Sequence, residues 1–179
     1  MRVFIAALIP EEIKEEINQY LVEVKPHWEG VKWENYNKLH VTLKFLGEIE
    51  GSVLGEIKDI LNELLPLYSP FEMKISCFGG FPNLNNPRVL FISLSKNHEL
   101  IRLQRDLEER LEVIGLKREN RTFKPHITVG RIKGKARSKS IFPFPNNTTF
   151  FITQIAVMKS ELGQEGSQYT PLFVFRLVN

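Results

Sequence analysis

The chain has 179 residues, of which 42% are hydrophobic and 25% charged, with a formal net charge of +3 and a single cysteine, Cys77. This composition is ordinary for a soluble globular protein of one domain or two small lobes, and so small a charge does not by itself identify a nucleic-acid partner. One cysteine excludes an intrachain disulfide and a cysteine-based metal cluster, and no apolar run approaches the roughly 20 residues of a membrane helix, so we expect a cytoplasmic protein without a membrane partner.

The first part of the chain predicts a strand, a helix, a strand and a helix. Residues 2–9 form an apolar, strand-like run, and Pro10 stands at the first position of a helix whose apolar residues recur at helical spacing until Pro26. A connector leads to a strand over residues 39–47. A second amphipathic helix follows and is closed by Pro66.

The middle of the chain predicts the same order again. Residues 71–78 alternate as in a strand, and the Gly, Pro and Asn residues that crowd positions 79–87 predict a loop. A strand over residues 89–94 then leads to a third helix, which Asn97 can cap and Gly115 can end.

The last part of the chain predicts strands joined by one long loop. Pro125 has no backbone donor and suits the first residue of a strand that carries His126. Residues 133–147 are basic and then proline-rich, which predicts a loop, and strands follow near residues 149–158 and 172–178. Repeated β-α-β order with antiparallel hairpins favours the α+β class.

Two short motifs repeat the order His, apolar, Thr, apolar, at residues 40–43 (HVTL) and 126–129 (HITV). Because side chains alternate along a strand, His40 and Thr42 would share one face, while the apolar residues, with Phe45 among them, would face a core. In the same way, His126 and Thr128 of the second motif would share one face. Two such strands would present two imidazoles and two hydroxyls to one cavity, which suits proton transfer around a bound phosphate.

The spacing of the motifs indicates a duplicated unit. His40 and His126 are 86 residues apart, and the similar segments 2–8 and 88–94 have the same separation. Taken alone, each His is better explained as a hydrogen-bonded strand residue beside a Thr of high β-propensity. The shared separation makes a functional pair the better hypothesis.

The other two histidines lack a partner motif. His27 lies in a connector and His98 in the first turn of the third helix, so we expect surface roles for both. Zinc held by the two motif histidines is conceivable, but neither motif has an acidic or cysteine ligand beside it. We therefore expect no metal and no other cofactor.

The positive charge is concentrated around the second motif. Between Lys117 and Lys139, nine Lys or Arg residues stand against one acid, Glu119, so the rest of the chain carries a net charge of −5. A run such as residues 133–139 is usually a solvated loop. Its position after the second motif also makes it a candidate for contacts with an RNA backbone.

The paired motifs resemble the two-histidine phosphoesterase superfamily, and specifically its RNA 2′,3′-cyclic phosphodiesterases, formerly called 2′-5′ RNA ligases. The likeness covers nearly the whole chain, through the stretches LHVTLKFLG, GGFPN, PRVLF, FKPHITVGR and the pair Ser160-Glu161 with Tyr169. It implies one two-lobed catalytic domain over residues 1–179, with pseudo-symmetric halves and one motif in each lobe facing a central cleft. It also implies metal-independent opening of cyclic phosphate ends of RNA, tRNA fragments among them, to 2′-phosphates.

By this resemblance, His40 is the proton donor and His126 the proton acceptor, although the residues alone leave that order open. Two imidazoles with ordinary pKa values of about 6.5 can hold opposite protonation states near neutral pH. Thr42 and Thr128 would donate hydrogen bonds to the non-bridging phosphate oxygens, where a charged acceptor strengthens such bonds.

Basic and aromatic residues complete the predicted site. Arg131 resembles the basic residue that follows the second motif in this family, but strict alternation places it opposite His126 unless a bulge occurs near Gly130. Lys124 is a further candidate for binding substrate.

Aromatic side chains could stack on a base of the RNA. Phe81 and Tyr169 are the candidates for this role, since the face of an aromatic ring accepts any base. Phe4 and Trp33 are better explained as residues of the core or the cleft wall.

Two other functions remain open at this point. A non-catalytic RNA-binding module could use the same basic stretch and aromatics, and a phosphodiesterase could act on small cyclic nucleotides instead of RNA. For the enzyme on RNA, microscopic reversibility also permits the reverse reaction, 2′-5′ ligation. We expect a monomer.

Overall fold

The structure is a computed structural model that describes residues 1–138, 143–145 and 147–178. The helices are α1 (Glu11–Val24), α2 (Gly51–Leu64) and α3 (His98–Val113), with 3-10 turns at Lys25–His27, Tyr36–Lys38 and Leu65–Leu67. The strands are β1 (Arg2–Leu8), β2 (Trp28–Trp33), β3 (His40–Glu48), β4 (Phe71–Phe81), β5 (Val89–Leu94), β6 (His126–Ser138), β7 (Thr149–Ile152), β8 (Gln154–Gly163) and β9 (Gly166–Arg176). The predicted α+β class is confirmed.

The described strands form one sheet in the order β7-β4-β5-β6-β3-β1-β8-β9, and β2 pairs with the far half of β6. All of the strand pairs are antiparallel. The two motif strands, β3 and β6, are neighbours near the middle of this order. They pair through Val41 and Ile127, each of which directly follows the His of its motif.

The three helices form where the sequence predicts them, because each has an apolar stripe that joins one hydrophobic core with the sheet. In α3, the Asn97 side chain accepts the Leu100 N–H, and Gly115 follows the helix with φ +86°. The expected position of Pro10 is wrong by one residue. Its backbone is extended and it precedes the helix, which begins at Glu11.

The sequence underestimates the length of two strands. Strand β4 continues through Gly79 to Phe81 into the predicted loop, because a Cβ at Gly79 would stand only 2.6 Å from the Phe91 ring, so glycine permits this close pairing. Strand β6 continues to Ser138 into the predicted basic loop by pairing with β2. Residues 139–142, which include the end of that basic run, lie outside the described residues.

The end of the chain and the first connector also differ from prediction. Strand β9 starts at Gly166 rather than near residue 172 and ends at Arg176, since it pairs with β8 along a long hairpin. Strand β2 lies in the stretch assigned to a connector. Its pairing register shifts between Glu29 and Val31, so its residues do not follow the regular alternation of a strand.

A bulge in β3 overturns the prediction that Phe45 faces the core. The pairing with β1 passes from Ala6 opposite Thr42 to Ile5 opposite Lys44, so Leu43 is an extra residue. Beyond the bulge the alternation is reversed. Lys44 turns towards the helices and is buried, whereas Phe45 is 66% exposed on the opposite face.

The Lys44 side chain enters a buried polar network. Its ammonium forms an ion pair with Glu108 of α3 and donates to the Lys117 carbonyl at 2.8 Å. The same carboxylate accepts the Glu119 N–H at 3.1 Å and the Gln104 amide at 3.0 Å. The network therefore joins the first motif strand, α3 and the segment that leads to the second motif.

Removing the Lys44 ammonium should destabilise the fold strongly, because it leaves the Glu108 carboxylate buried without its counter-ion. We expect Lys44→Met to lower the free energy of unfolding by about 3–5 kcal/mol, measured by urea denaturation. Lys159→Met, which breaks the more exposed Lys159–Glu161 pair, is the control and should cost less than about 1 kcal/mol. Equal losses in the two variants would contradict this account.

Candidate active site

The pairing of Val41 with Ile127 places the polar residues of both motifs on one face of the sheet. Residues that stand opposite each other in a sheet share a face, and their neighbours along each strand share the other face. Val41 and Ile127 are buried towards the helices. The polar face between the two strands therefore carries His40, Thr42, His126 and Thr128, as the alternation predicts.

Both imidazoles are oriented by the same kind of hydrogen bond. His40 Nδ1 lies 2.7 Å from the Lys38 carbonyl, and His126 Nδ1 lies 2.6 Å from the Lys124 carbonyl. A carbonyl only accepts, so each Nδ1 carries the proton and leaves Nε2 as the acceptor of the neutral ring. A Lys stands two residues before the His in both motifs, and this signal in the sequence was missed.

The first imidazole also contacts the hydroxyl of its own motif. His40 Nε2 lies 3.1 Å from Thr42 Oγ1. With Nδ1 protonated, the Thr42 hydroxyl donates to Nε2 in the neutral ring. Protonation of Nε2 would reverse the direction of this bond, so His40 and Thr42 can exchange the roles of donor and acceptor.

Aromatic rings pack against each imidazole. The His40 ring lies 4.9 Å from the Phe4 ring and 5.4 Å, edge-on, from the Tyr169 ring. The His126 ring lies 5.0 Å from the Phe81 ring, which is stacked on Phe91 at 4.2 Å. These centroid distances place the predicted stacking residues, Phe81 and Tyr169, one beside each histidine.

The two aromatic residues expected in walls have different surroundings. Phe4 is buried and forms the floor under His40 and Tyr169. Trp33 lies against Gly130, where a Cβ would stand 3.2 Å from its ring. The Lys25 ammonium is 5.8 Å from the centre of the Trp33 ring.

Arg131 reaches the polar face through a bulge. The pairing of β6 with β5 passes from Thr128 opposite Phe91 to Gly130 opposite Leu90, so Val129 is an extra residue and the alternation is reversed after it. The bulge near Gly130 that Arg131 needs in order to share a face with His126 is therefore present. Its guanidinium lies 3.7 Å from the Glu34 carboxylate.

Lys124 contributes its backbone rather than its side chain to this geometry. Its carbonyl orients His126, and its side chain is exposed. The corresponding residue of the first motif, Lys38, also donates from its ammonium to the Ser167 carbonyl at 2.8 Å. A cavity of about 250 Å³ lies against His40, with Lys14, Lys38 and Tyr169 in its wall.

A second cavity, of about 270 Å³, lies beside α3 and is polar. Arg118, one of its lining residues, pairs with Glu109 and Glu112 at 3.4 Å each. This cavity contains neither motif, and Arg105 and Arg118 in its lining already have acidic partners. We therefore assign the chemistry to the motif face.

Burial and positive charge lower the pKa of both histidines. Burial is the main cause for His40, with smaller contributions from the charges of His126, Lys14 and Arg131. For His126 the causes are burial and then the charge of Arg131. Both rings are therefore mostly neutral at pH 7 in the free protein. An anion between them would favour the charged form and raise both pKa values.

The same face holds a phenol that stays protonated. Burial raises the pKa of Tyr169, and the nearby Glu34 carboxylate adds to this effect. Its hydroxyl is therefore available as a hydrogen-bond donor throughout the range in which imidazoles titrate.

The described residues contain neither a metal-binding cluster nor a membrane-spanning helix. No three side chains of the His, Cys, Asp and Glu types come together there in a way that could hold a metal ion. No helix in the described ranges is both long and apolar enough to cross a membrane.

Comparison with known proteins gives a family match over most of the chain. The model of LigT-like phosphoesterases matches residues 8–91 and again residues 92–166. Each match contains one of the two motifs, in agreement with a duplicated unit.

Proteins with assigned activities are similar to this chain in sequence. An RNA 2′,3′-cyclic phosphodiesterase of Methanocaldococcus jannaschii is 39% identical over 133 residues, which cover 74% of this chain and 72% of that protein. A protein of the same name from Archaeoglobus fulgidus is 37% identical over 135 residues, covering 75% of this chain and 74% of its own length.

Solved structures share the fold over the whole chain. TT0787 of Thermus thermophilus superimposes with a TM-score of 0.88 at 30% identity, covering 99% of this chain and 98% of its own. LigT of Escherichia coli complexed with 3′-AMP superimposes with a TM-score of 0.80 at 26% identity, with the same coverage.

The charge of Arg131 should be measurable in the titration of both histidines. We expect His40 and His126 to titrate below the ordinary value of about 6.5, as followed by NMR of their ring carbon-bound protons. Arg131→Met removes a positive charge that opposes protonation, so both pKa values should rise. Arg131→Lys, which keeps the charge, is the control, and pKa values that do not respond to Arg131→Met would refute this electrostatic coupling.

Proposed function

Because the chain belongs to the LigT-like phosphoesterase family, we propose that it hydrolyses the 2′,3′-cyclic phosphate ends of RNA to 2′-phosphates, with His40 and His126 as the proton-transferring pair. Relatives that carry the name of this activity cover about three quarters of the chain. The observation that supports the proposal best is the pairing of Val41 with Ile127. It brings two His-Thr pairs, each with the His Nδ1 held by a backbone carbonyl, to one polar face.

The proposed reaction is an in-line displacement at phosphorus. His126 Nε2 removes a proton from a water molecule, whose oxygen forms a new bond to phosphorus. The bond from phosphorus to the ribose 3′-oxygen breaks, and His40 Nε2 donates a proton to that oxygen. Each positioned proton transfer can contribute about 10²–10⁴ in rate. The order of donor and acceptor follows the family resemblance.

The lowered pKa values of the two histidines fit a site that reaches its active protonation state only when the substrate is bound. One ring must be protonated and the other neutral, whereas both are mostly neutral in the free protein at pH 7. The negative charge of the bound phosphodiester favours protonation of one ring. The Nδ1 hydrogen bonds to backbone carbonyls persist in both protonation states, so neither ring has to rotate during the cycle.

Hydroxyls and a guanidinium would stabilise the charge on the non-bridging oxygens. Thr42 and Thr128 stand beside the two imidazoles and can donate hydrogen bonds to these oxygens. Arg131 adds a positive charge that both histidines feel. The carboxylate of Glu34 lies close enough to hold the Arg131 side chain at the edge of the site.

RNA would be held by groups around the phosphate. Phe81 and Tyr169 would contact a base or ribose, each beside one histidine, and the exposed side chain of Lys124 would approach the RNA backbone. Substrates would include tRNA fragments with cyclic ends. We further propose that residues 1–179 act as one two-lobed catalytic domain, with one motif in each lobe, as a cytoplasmic monomer that needs no metal or other cofactor.

The same groups could catalyse the reverse reaction. If the 5′-hydroxyl of another RNA takes the place of water, His126 removes its proton and the product is a 2′-5′ phosphodiester. Microscopic reversibility then gives cleavage of that bond with the acid and base roles exchanged.

Replacement of either motif histidine should abolish turnover without abolishing binding. We expect His40→Ala and His126→Ala each to lower kcat on a cyclic-ended RNA by about 10²–10⁴, measured by product analysis in the presence of a chelator. His98→Ala, at an exposed position in the first turn of α3, is the matched control and should retain full activity.

Three other outcomes would count against this function. If the wild-type protein forms no product between pH 5 and 9, the hydrolase proposal fails. Salt-sensitive RNA binding without turnover would then indicate a binding module. Turnover of cyclic mononucleotides but not of cyclic-ended oligonucleotides would indicate a phosphodiesterase for small nucleotides.

A further inference from the structure

Phe45 is an exposed aromatic side chain on the same face as the histidines. It is 66% exposed, more than any other described aromatic residue among the exposed large hydrophobics. Its position results from the Leu43 bulge, which turns Lys44 inwards and Phe45 outwards. Bulges beside active sites commonly redirect a side chain in this way. A core position for this phenylalanine would have buried its whole apolar area instead.

Phe45 continues the aromatic surface that begins at His40. It stands opposite Phe4 in the sheet, and the two ring centroids are 6.0 Å apart. Phe4 in turn lies 4.9 Å from His40 and 5.1 Å from Tyr169. Phe45 is therefore one ring further from the proposed reaction centre than Phe4. Phe45 contacts Phe4 and Phe4 contacts His40, so a group bound at Phe45 would lie one ring away from a phosphate held by His40.

A positive charge accompanies this ring. Arg2 is exposed on the adjacent strand β1, two residues from Phe4 and therefore on the same face. Its charge is felt by Tyr169, whose pKa it tends to lower. An aromatic face beside a cationic side chain is the combination that binds single-stranded nucleic acid without sequence preference.

We propose that Phe45 stacks on the base of the nucleotide that precedes the cyclic end of the RNA. The inference rests on the proposed function and adds a subsite to it. The ring binds a base through its face, so the subsite accepts any sequence. It gives the enzyme a preference for oligonucleotides over cyclic mononucleotides, because a mononucleotide has no preceding base to offer.

The test compares two substrates, a nucleoside 2′,3′-cyclic phosphate and a trinucleotide that ends in the same cyclic nucleotide. Loss of one base stack costs about 1–3 kcal/mol, so Phe45→Ala should raise KM for the trinucleotide about 5- to 150-fold with kcat unchanged. Its KM and kcat for the mononucleotide should stay at the wild-type values. Phe45→Trp should keep the low KM for the trinucleotide.

Phe151 supplies the matched control. It is 51% exposed and lies on β7, at the opposite end of the sheet from β9 and away from both motifs. Phe151→Ala should leave KM for both substrates unchanged. An equal rise of KM for both substrates in Phe45→Ala, or a trinucleotide KM within twofold of wild type, would overturn the proposal.

Failure of the proposed hydrolysis can be distinguished from failure of the proposed subsite. Wild-type turnover of the mononucleotide tests hydrolysis without involving the preceding base. Binding of a fluorescently labelled trinucleotide with a 2′-phosphate end, followed by anisotropy, tests stacking without turnover. Weaker binding by Phe45→Ala than by Phe151→Ala supports the subsite even if no hydrolysis occurs, and equal binding by the two variants overturns it.

Discussion

The pairing of β3 with β6 at Val41 and Ile127 is the constraint on which the site depends. Because these residues are equivalent in the two motifs, the pairing relates the motifs by an approximate two-fold axis. Because the two strands are antiparallel, each histidine then stands opposite the threonine of the other motif. A shift of the pairing by one residue would turn one His-Thr pair into the core and leave the other pair alone on the polar face. Burial of Val41 and Ile127 opposes such a shift.

In both halves of the chain, the imidazole is held by the same kinds of contact. A carbonyl two residues upstream fixes Nδ1, and aromatic rings pack on the sides of each ring. The surroundings of the two rings are nevertheless unequal. His40 is close to Lys14, Phe4 and Tyr169, whereas His126 is next to Phe81, and the charge that lowers its pKa is that of Arg131. This inequality distinguishes the two rings of an otherwise symmetric pair.

Much of the fold and of the site could be predicted from local pattern. Helical stripes, a capping Asn97 and the alternation within each motif depend on neighbouring residues in the chain, and these predictions agree with the structure. The bulges at Leu43 and Val129 depend on how one strand pairs with the next, which alternation does not encode. Alternation alone therefore predicts, wrongly, that Phe45 faces the core. The orienting carbonyls were missed because backbone groups leave little trace in the residue type.

The central claim is that both imidazoles meet a single phosphate, and a crystal structure with a bound nucleoside 2′-phosphate tests it most directly. The account predicts phosphate oxygens within about 2.6–3.2 Å of Nε2 of both His40 and His126, with each Nδ1 still on its carbonyl. A phosphate in contact with only one of the two rings, or bound away from both, would contradict it.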